Sequence, residues 1–200
     1  NPKYRRLWAS TVISLLGEWF NTIALFLLIL EYSGSEFLLG VLFSVRMVLF
    51  GISQPINGLL ADRLNRKSLM LWSNVVQIFL ALTFMLVDGP EDMWWLITVS
   101  GVMMLFHGVY VTAERAAVPN IVDEEDLITA NAIGSASWST ALCTGAMLGG
   151  IVVSQLGTDA AFVIDSFTFL LSAIILLPLV IDQTIDENMK GPIFSTAIKN

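Results

Sequence analysis

The sequence predicts an all-α membrane protein of six transmembrane helices with both termini in the cytoplasm. Composition is the first observation behind that expectation. Of 200 residues, 56% are apolar and 14% are charged, with a mean hydropathy of +0.75, whereas a soluble chain carries about 25% charged residues. A chain with so little polar surface cannot face water all round, which excludes a soluble globular enzyme. The second observation is a succession of stretches that each meet the requirement for crossing the hydrocarbon core, about 20 mostly apolar residues. The third is the placement of basic residues in alternate connectors. A net charge of −7 with no basic patch argues against a nucleic-acid partner, because nothing would release counterions from phosphate. The single cysteine, Cys143, excludes an internal disulfide framework and a Cys-based zinc cluster. The single histidine, His107, excludes a His-rich metal site and leaves little for Ser–His catalysis.

Residues 7–30 form the first expected span, charged only at Glu18, and it is too long and too evenly apolar for a cleaved signal peptide. Residues 38–60 form the second, charged only at Arg46, and residues 68–87 the third, with no charge. Residues 93–112 hold only His107, residues 129–153 are uncharged, and residues 160–181 are charged only at Asp165. Turn-rich connectors separate them: EYSGSEF, ADRLNRK, DGPED, residues 113–128, and SQLGTD. Residues 1–181 are thus expected to be one transmembrane domain and residues 182–200 the start of a cytoplasmic central loop. The chain starts without Met and stops in a polar segment, which reads as part of a longer protein.

Orientation follows from the positive-inside rule. Lys3, Arg5, Arg6, Arg63, Arg66, Lys67, Arg115, Lys190 and Lys199 fall on one side, and the opposite loops carry Glu31, Glu36, Asp88, Glu91, Asp92 and Asp159 but no Lys or Arg. Trp94 and Trp95 at the outer start of the fourth span, and Trp8 at the inner end of the first, suit the headgroup region, where amphipathic rings are favoured. The fifth span is crowded with Gly, Ala and Ser, which let helix backbones approach closely in lipid.

The stretch GLLADRLNRK at residues 58–67 resembles the loop between the second and third spans of the major facilitator superfamily, G-x-x-x-D-R-x-G-R-K. Gly58, Asp62, Arg63, Arg66 and Lys67 match, and Asn65 stands at the second glycine, where it too tolerates a left-handed turn. VPNIVDEEDLITANAI, LLGEWFNTIAL and AFVIDSFTFLLSA resemble the macrolide-efflux and enterobactin-exporter-like branch. The resemblance implies the N-terminal six-helix half of a twelve-helix transporter, built of inverted three-helix repeats, whose partner is the C-terminal half. It implies a bacterial inner-membrane protein that exports small amphipathic molecules by alternating access, with a proton gradient as energy source and no cofactor. Lysophospholipid or nutrient transport on the same fold, and a non-transporting receptor or scaffold, stay open as alternatives. The antiporter signature of the fifth span is present as Gly145, Gly149 and Gly150 without its proline, and the fourth span lacks the arginine of proton-coupled members. An intramembrane protease is disfavoured because there is no Gly-x-Ser-Gly and His107 has no evident partner. An ATP-driven exporter is disfavoured because the connector at residues 61–67 is short and no phosphate-cradling loop is present.

In the signature loop, Asp62 is expected near the start of the third span, where a carboxylate favours the positive helix end. Arg63, Arg66 and Lys67 are expected at the headgroup level, with Glu114 as a partner for Arg63 or Arg66; the resemblance implies that such pairs latch the cytoplasmic gate. Ionisable residues inside the bilayer cost about 2.5–3.5 kcal/mol each on insertion scales and call for a partner. Arg46 and Asp165 are expected at similar depths, with Glu18 somewhat deeper, so Arg46 can pair with either acid. Ser14, Glu18 and Asn21 fall at i, i+4 and i+7, one polar stripe that should face protein or water. Glu18 is then either the proton-coupling or cation-recognising acid, or half of a structural ion pair with Arg46. Asp165 reads as a structural charge, and His107 as a packed residue before a relay. Gln54 and Asn57 are further polar contacts, and Cys143 a small packing residue.

Overall fold

The structure, a computed structural model, describes residues 1–183. It contains α1 (Pro2–Ser33), α2 (Glu36–Arg63), α3 (Arg66–Thr83), α4 (Met93–Ala117), α5 (Leu127–Leu156) and α6 (Thr158–Leu176). Each of the six, with the 3-10 turns that extend some of them, is long and apolar enough to cross a membrane. Helix is the natural outcome in lipid, where every backbone N–H and C=O must be satisfied within the segment.

Local chemistry sets the helix ends. Asn1 caps α1 by accepting from the Lys3 and Tyr4 amides, Pro2 occupies the first turn, and Gly34 ends the helix at φ 61. Ser35 caps α2 at once by accepting from the Leu38 amide, so α1 and α2 are joined by two residues. Pro55 lies inside α2, where it removes one N–H from the hydrogen-bond ladder. Most helices outrun their expected spans, because regular hydrogen bonding continues past the hydrocarbon into the headgroup layer. α4, for example, runs on to Ala117 and takes in Glu114 and Arg115. α3 and α6 end early: α3 gives way at Thr83 to a 3-10 turn that ends at Leu86, short of 87, and α6 stops at Leu176, short of 181, since Pro178 has no N–H to bond back.

The principal pairings are α1 with α6 and α5, α2 with α4, and α3 with α4 and α6. Exchanging α1 with α4, α2 with α5 and α3 with α6 turns this set of pairings into itself. The inverted repeat is therefore present in the packing although no internal similarity is visible in the residues. Glycines permit the two equivalent close approaches. A Cβ on Gly101 or Gly108 of α4 would lie 2.7 Å from Leu49 Cδ1 or 2.6 Å from Asn57 Nδ2 of α2. A Cβ on Gly145 or Gly149 of α5 would lie 2.7 Å from Trp19 Cβ or 3.1 Å from Phe20 Cα of α1.

Two apolar cores stack along the bundle. One, towards the acidic end, gathers Leu25, Ile29, Leu42, Phe84, Leu96 and Phe162. The other, towards the basic end, gathers Leu7, Met70, Tyr110, Ala113, Leu176 and Leu179. Between them lies a layer of buried polar side chains that includes Ser10, Asn21, Arg46, Asn74, Ser100 and Asp165. Large apolar residues such as Phe37, Trp72, Phe79, Trp94, Phe167 and Val180 face outward, an arrangement that fits lipid rather than water.

Candidate transport site

Three helices bring three ionisable side chains together in the polar layer. Glu18 of α1 holds Arg46 of α2 and His107 of α4, one on each oxygen. Arg46 Nη2 lies 3.5 Å from Glu18 Oε1, and His107 Nδ1 lies 3.1 Å from Glu18 Oε2. Arg46 also donates to Ser100 Oγ and Thr22 Oγ1, each at 3.2 Å. Thr22 in turn donates to the Glu18 backbone carbonyl at 2.8 Å. The Phe50 ring lies 5.8 Å from the His107 ring. The Glu18 and His107 side chains keep 17% and 18% of their surface open, whereas Arg46 keeps 6%. The cation is thus the enclosed member and the acid–imidazole pair the accessible one. α1 and α2 approach each other closely at few other points along the backbone, and this cluster adds a polar link between them.

Asp165 takes a different partner. It is fully buried on α6 and accepts from Asn21 Nδ2 at 2.8 Å, while the bonds of Arg46 go to Glu18, Ser100 and Thr22. Ser14 spends its hydroxyl on the Thr11 carbonyl at 3.0 Å. The predicted stripe therefore divides: Glu18 turns towards α2 and α4, and Asn21 towards α6. Gln54 accepts from Thr112 at 3.0 Å, and Asn57 donates to Ser53 at 3.0 Å, both along the α2–α4 seam.

A second polar cluster goes beyond the residues singled out in the sequence. Ser10 Oγ lies 2.7 Å from Ser172 Oγ and 3.0 Å from Tyr110 Oη, and Asn74 Nδ2 donates to Ser172 Oγ at 2.9 Å. It ties α1, α3, α4 and α6 together. Its sequence signal is the presence of Asn74 and Tyr110 within otherwise apolar spans. Each polar atom inside lipid needs a partner.

The signature loop differs from expectation in three respects. Asp62 lies in the last turn of α2, not at the start of α3. Asn65 is extended, at φ −65 and ψ 115, and caps α3 by accepting from the Ser68 amide; its value lies in the side-chain oxygen rather than in tolerance of a left-handed turn. Arg66, one of the two arginines expected to reach Glu114 of α4, instead donates to the Ala61 carbonyl at 3.1 Å, the Ala116 carbonyl at 2.7 Å and Asn120 Oδ1, with Asp62 at 4.0 Å. The guanidinium so stitches the α2–α3 loop to the end of α4, where last-turn carbonyls lack helical partners. Lys67 donates to the Leu177 carbonyl. Gln183 accepts from the Arg66 amide at 3.0 Å and donates to the Leu64 carbonyl at 3.0 Å, and Asp182 pairs with Lys3 at 2.8 Å. Arg63 closes α2, and a Cβ on Gly58 would meet nothing within 4 Å. In the glycine signature, Gly145 and Gly149 face α1 while Gly150 faces open space. Trp8 donates to Ser137 of α5 at 2.8 Å, beside a cavity of about 320 Å³ between α1 and α5. Lys190 and Lys199 of the expected central loop lie outside the described residues. Among the described residues no cluster of His, Cys, Asp and Glu could hold a metal ion.

Comparison with known proteins agrees with this architecture. The chain is 29% identical over 174 residues to YfiS of Bacillus subtilis, an uncharacterized MFS-type transporter, which covers 85% of this chain and 40% of the relative. It is 28% identical over 177 residues to a Bacillus subtilis protein named as a bacilysin exporter, BacE, covering 86% of this chain and 43% of the relative. A related BacE of Bacillus amyloliquefaciens is 28% identical over 175 residues, covering 86% of this chain and 43% of the relative. The chain thus spans about two fifths of the length of the curated relatives it matches. The profile of the Major Facilitator Superfamily matches residues 7–193, and with six membrane-spanning helices in this arrangement the chain belongs to that transporter family.

Proposed function

We propose that these six helices form the first half of a proton-coupled exporter of small amphipathic molecules in a bacterial inner membrane, with Glu18 and His107 as the site that takes up and releases the proton. The observation that carries this reading is the carboxylate of Glu18 held between an enclosed cation, Arg46, and an accessible imidazole, His107, where α1, α2 and α4 meet. With Glu18 ionised and His107 neutral, the three groups sum to zero charge. Adding one proton leaves an excess positive charge, which a site within the span of the bilayer disfavours unless helices or substrate rearrange. That is the coupling an antiporter needs: the proton and a lipophilic substrate compete for one state of the site. The exporter named among the relatives supports outward transport. Pro55 in α2, 3-10 turns at the ends of α3 and α4, and the thinly packed α1–α2 seam supply places where the helices can shift. The C-terminal half of the full-length protein would complete the cavity.

The test uses the full-length protein in everted membrane vesicles bearing a proton gradient. A panel of lipophilic drugs, siderophores and lysolipids is added to wild type and to Glu18→Gln. The expected result is substrate-dependent collapse of the gradient in wild type and its loss in Glu18→Gln. Collapse that persists in Glu18→Gln would reduce Glu18 to a structural ion pair. No response to any compound from folded protein would overturn proton antiport in favour of lipid or nutrient movement or of a non-transporting role.

A further inference from the structure

Asp165 and Asn21 pose a problem of hydrogen-bond accounting. Both side chains are buried, at 0% and 1% exposure, deep between α1 and α6. They share one hydrogen bond, from Asn21 Nδ2 to Asp165 Oδ2 at 2.8 Å. Neither of the remaining oxygens, Asn21 Oδ1 and Asp165 Oδ1, has any hydrogen-bond partner. A buried acceptor without a donor is rare and costly. Here two of them sit on two side chains already joined by a hydrogen bond. The carboxyl is also held against α1 from below: a Cβ on Gly17, one turn before Asn21, would lie 2.7 Å from Asp165 Oδ1. The charged groups that face Asp165 are Glu18 of α1 and Arg46 of α2. Arg46 forms its ion pair with Glu18 and no salt bridge with Asp165; α3 and α5 bring no charged side chain to it.

One hydrogen atom resolves both deficits. We propose that Asp165 is a carboxylic acid whose Oδ1–H donates to Asn21 Oδ1, so that α1 and α6 are joined by a two-bond acid–amide pair holding a buried proton. This proton site is separate from the Glu18–His107 site and does not depend on the proposed transport reaction. It leaves the Arg46 guanidinium to pair with Glu18 rather than with Asp165. It also gives Asn21 a recognition role, because an amide complements a protonated carboxyl with one donor and one acceptor, which neither Leu nor a second ionised acid does.

The test is infrared spectroscopy of the full-length protein in lipid at neutral pH, with the aspartates carbon-13 labelled so that their carbonyl bands move apart from those of glutamate. Wild type is expected to show a protonated aspartyl band, and Asp165→Asn to lose the intensity of one carboxylic acid with no change in the ionised-carboxylate band. Asp165→Asn should fold, because an Asn–Asn pair keeps both hydrogen bonds. The exchanged variant, Asn21→Asp with Asp165→Asn, guards against a folding failure and is expected to regain the acid band. Absence of a protonated aspartyl band in wild type would overturn the proposal. So would loss of carboxylate rather than carboxylic-acid intensity in Asp165→Asn.

Discussion

Replacing Gly17 by Ala is the most direct probe of how tightly α1 rests on α6. The added Cβ would lie 1.9 Å from Thr168 Oγ1, 2.7 Å from Asp165 Oδ1 and 2.9 Å from Thr168 Cβ. Carbon atoms in comfortable contact are about 3.5–4.0 Å apart, so the hydroxyl is too close by about 1.6 Å and the Thr168 Cβ by about 0.6 Å. Turning the Thr168 side chain relieves only the first clash, and it breaks the 2.7 Å hydrogen bond from Thr168 to the Asp165 carbonyl. The second clash is with an atom fixed to the backbone, so the helices themselves must part. Overpacking of this kind costs about 1–3 kcal/mol, and the gain from Ala over Gly in a helix returns about 0.5–1 kcal/mol, leaving a net loss of up to about 2.5 kcal/mol. Gly150→Ala is the control, because its Cβ would meet nothing within 4 Å. It should show only the helix gain of about 0.5–1 kcal/mol. Reversible unfolding of the purified full-length protein in mixed micelles, with increasing denaturing detergent, measures both. Gly17→Ala should fall below wild type and Gly150→Ala should not. A Gly17→Ala protein as stable as Gly150→Ala would refute the α1–α6 spacing described above.

Two further perturbations test other parts of the molecule. Glu18→Gln leaves the Arg46 guanidinium enclosed without its counter-charge, a loss of about 3 kcal/mol or somewhat less given the partial exposure of Glu18, whereas Glu18→Gln with Arg46→Met should recover most of it. A detergent-unfolding double-mutant cycle reads the coupling, and purely additive losses would mean that the two side chains do not interact. Asn65→Ala should cost about 1 kcal/mol by removing the cap of α3, while Asn65→Gly should cost only a few tenths. The same unfolding assay distinguishes them, and equal losses would speak against a capping role.

Much of the fold is legible in the residues because lipid imposes a simple rule: a span must be long, apolar and self-satisfied in hydrogen bonding. That rule marks the six helices but not their ends, which depend on local caps such as Asn1 and Asn65 and on stops such as Pro178. The ionisable groups of the polar layer are equally conspicuous, since Glu18, Arg46 and Asp165 stand alone in apolar runs. Their pairing is not. Glu18 and Asn21 lie near each other around α1, yet that small rotation sends one to Arg46 and His107 and the other to Asp165. Depth along the helix, which the sequence does express, allows Arg46 either acid, and only the rotation of α1 and α6 decides. The repeat is hidden for a related reason: it resides in which helices touch, and glycines at 101 and 108 match glycines at 145 and 149 in role without matching in register.

The order in which the helices meet carries a consequence for biosynthesis. The main partners of α1 are α5 and α6, of which even the earlier, α5, begins at Leu127, long after α1 ends at Ser33, and the contact between Asn21 and Asp165 joins positions 144 apart. While the intervening helices are made, α1 therefore resides in the bilayer without the surfaces it will finally rest on, while carrying an acid. Arg46 needs far less chain: its contact with Thr22, one turn beyond Glu18, spans 24 positions. The counter-charge is at hand as soon as the second helix is made, so the first hairpin can enter lipid electrically balanced and wait there for the rest of the bundle.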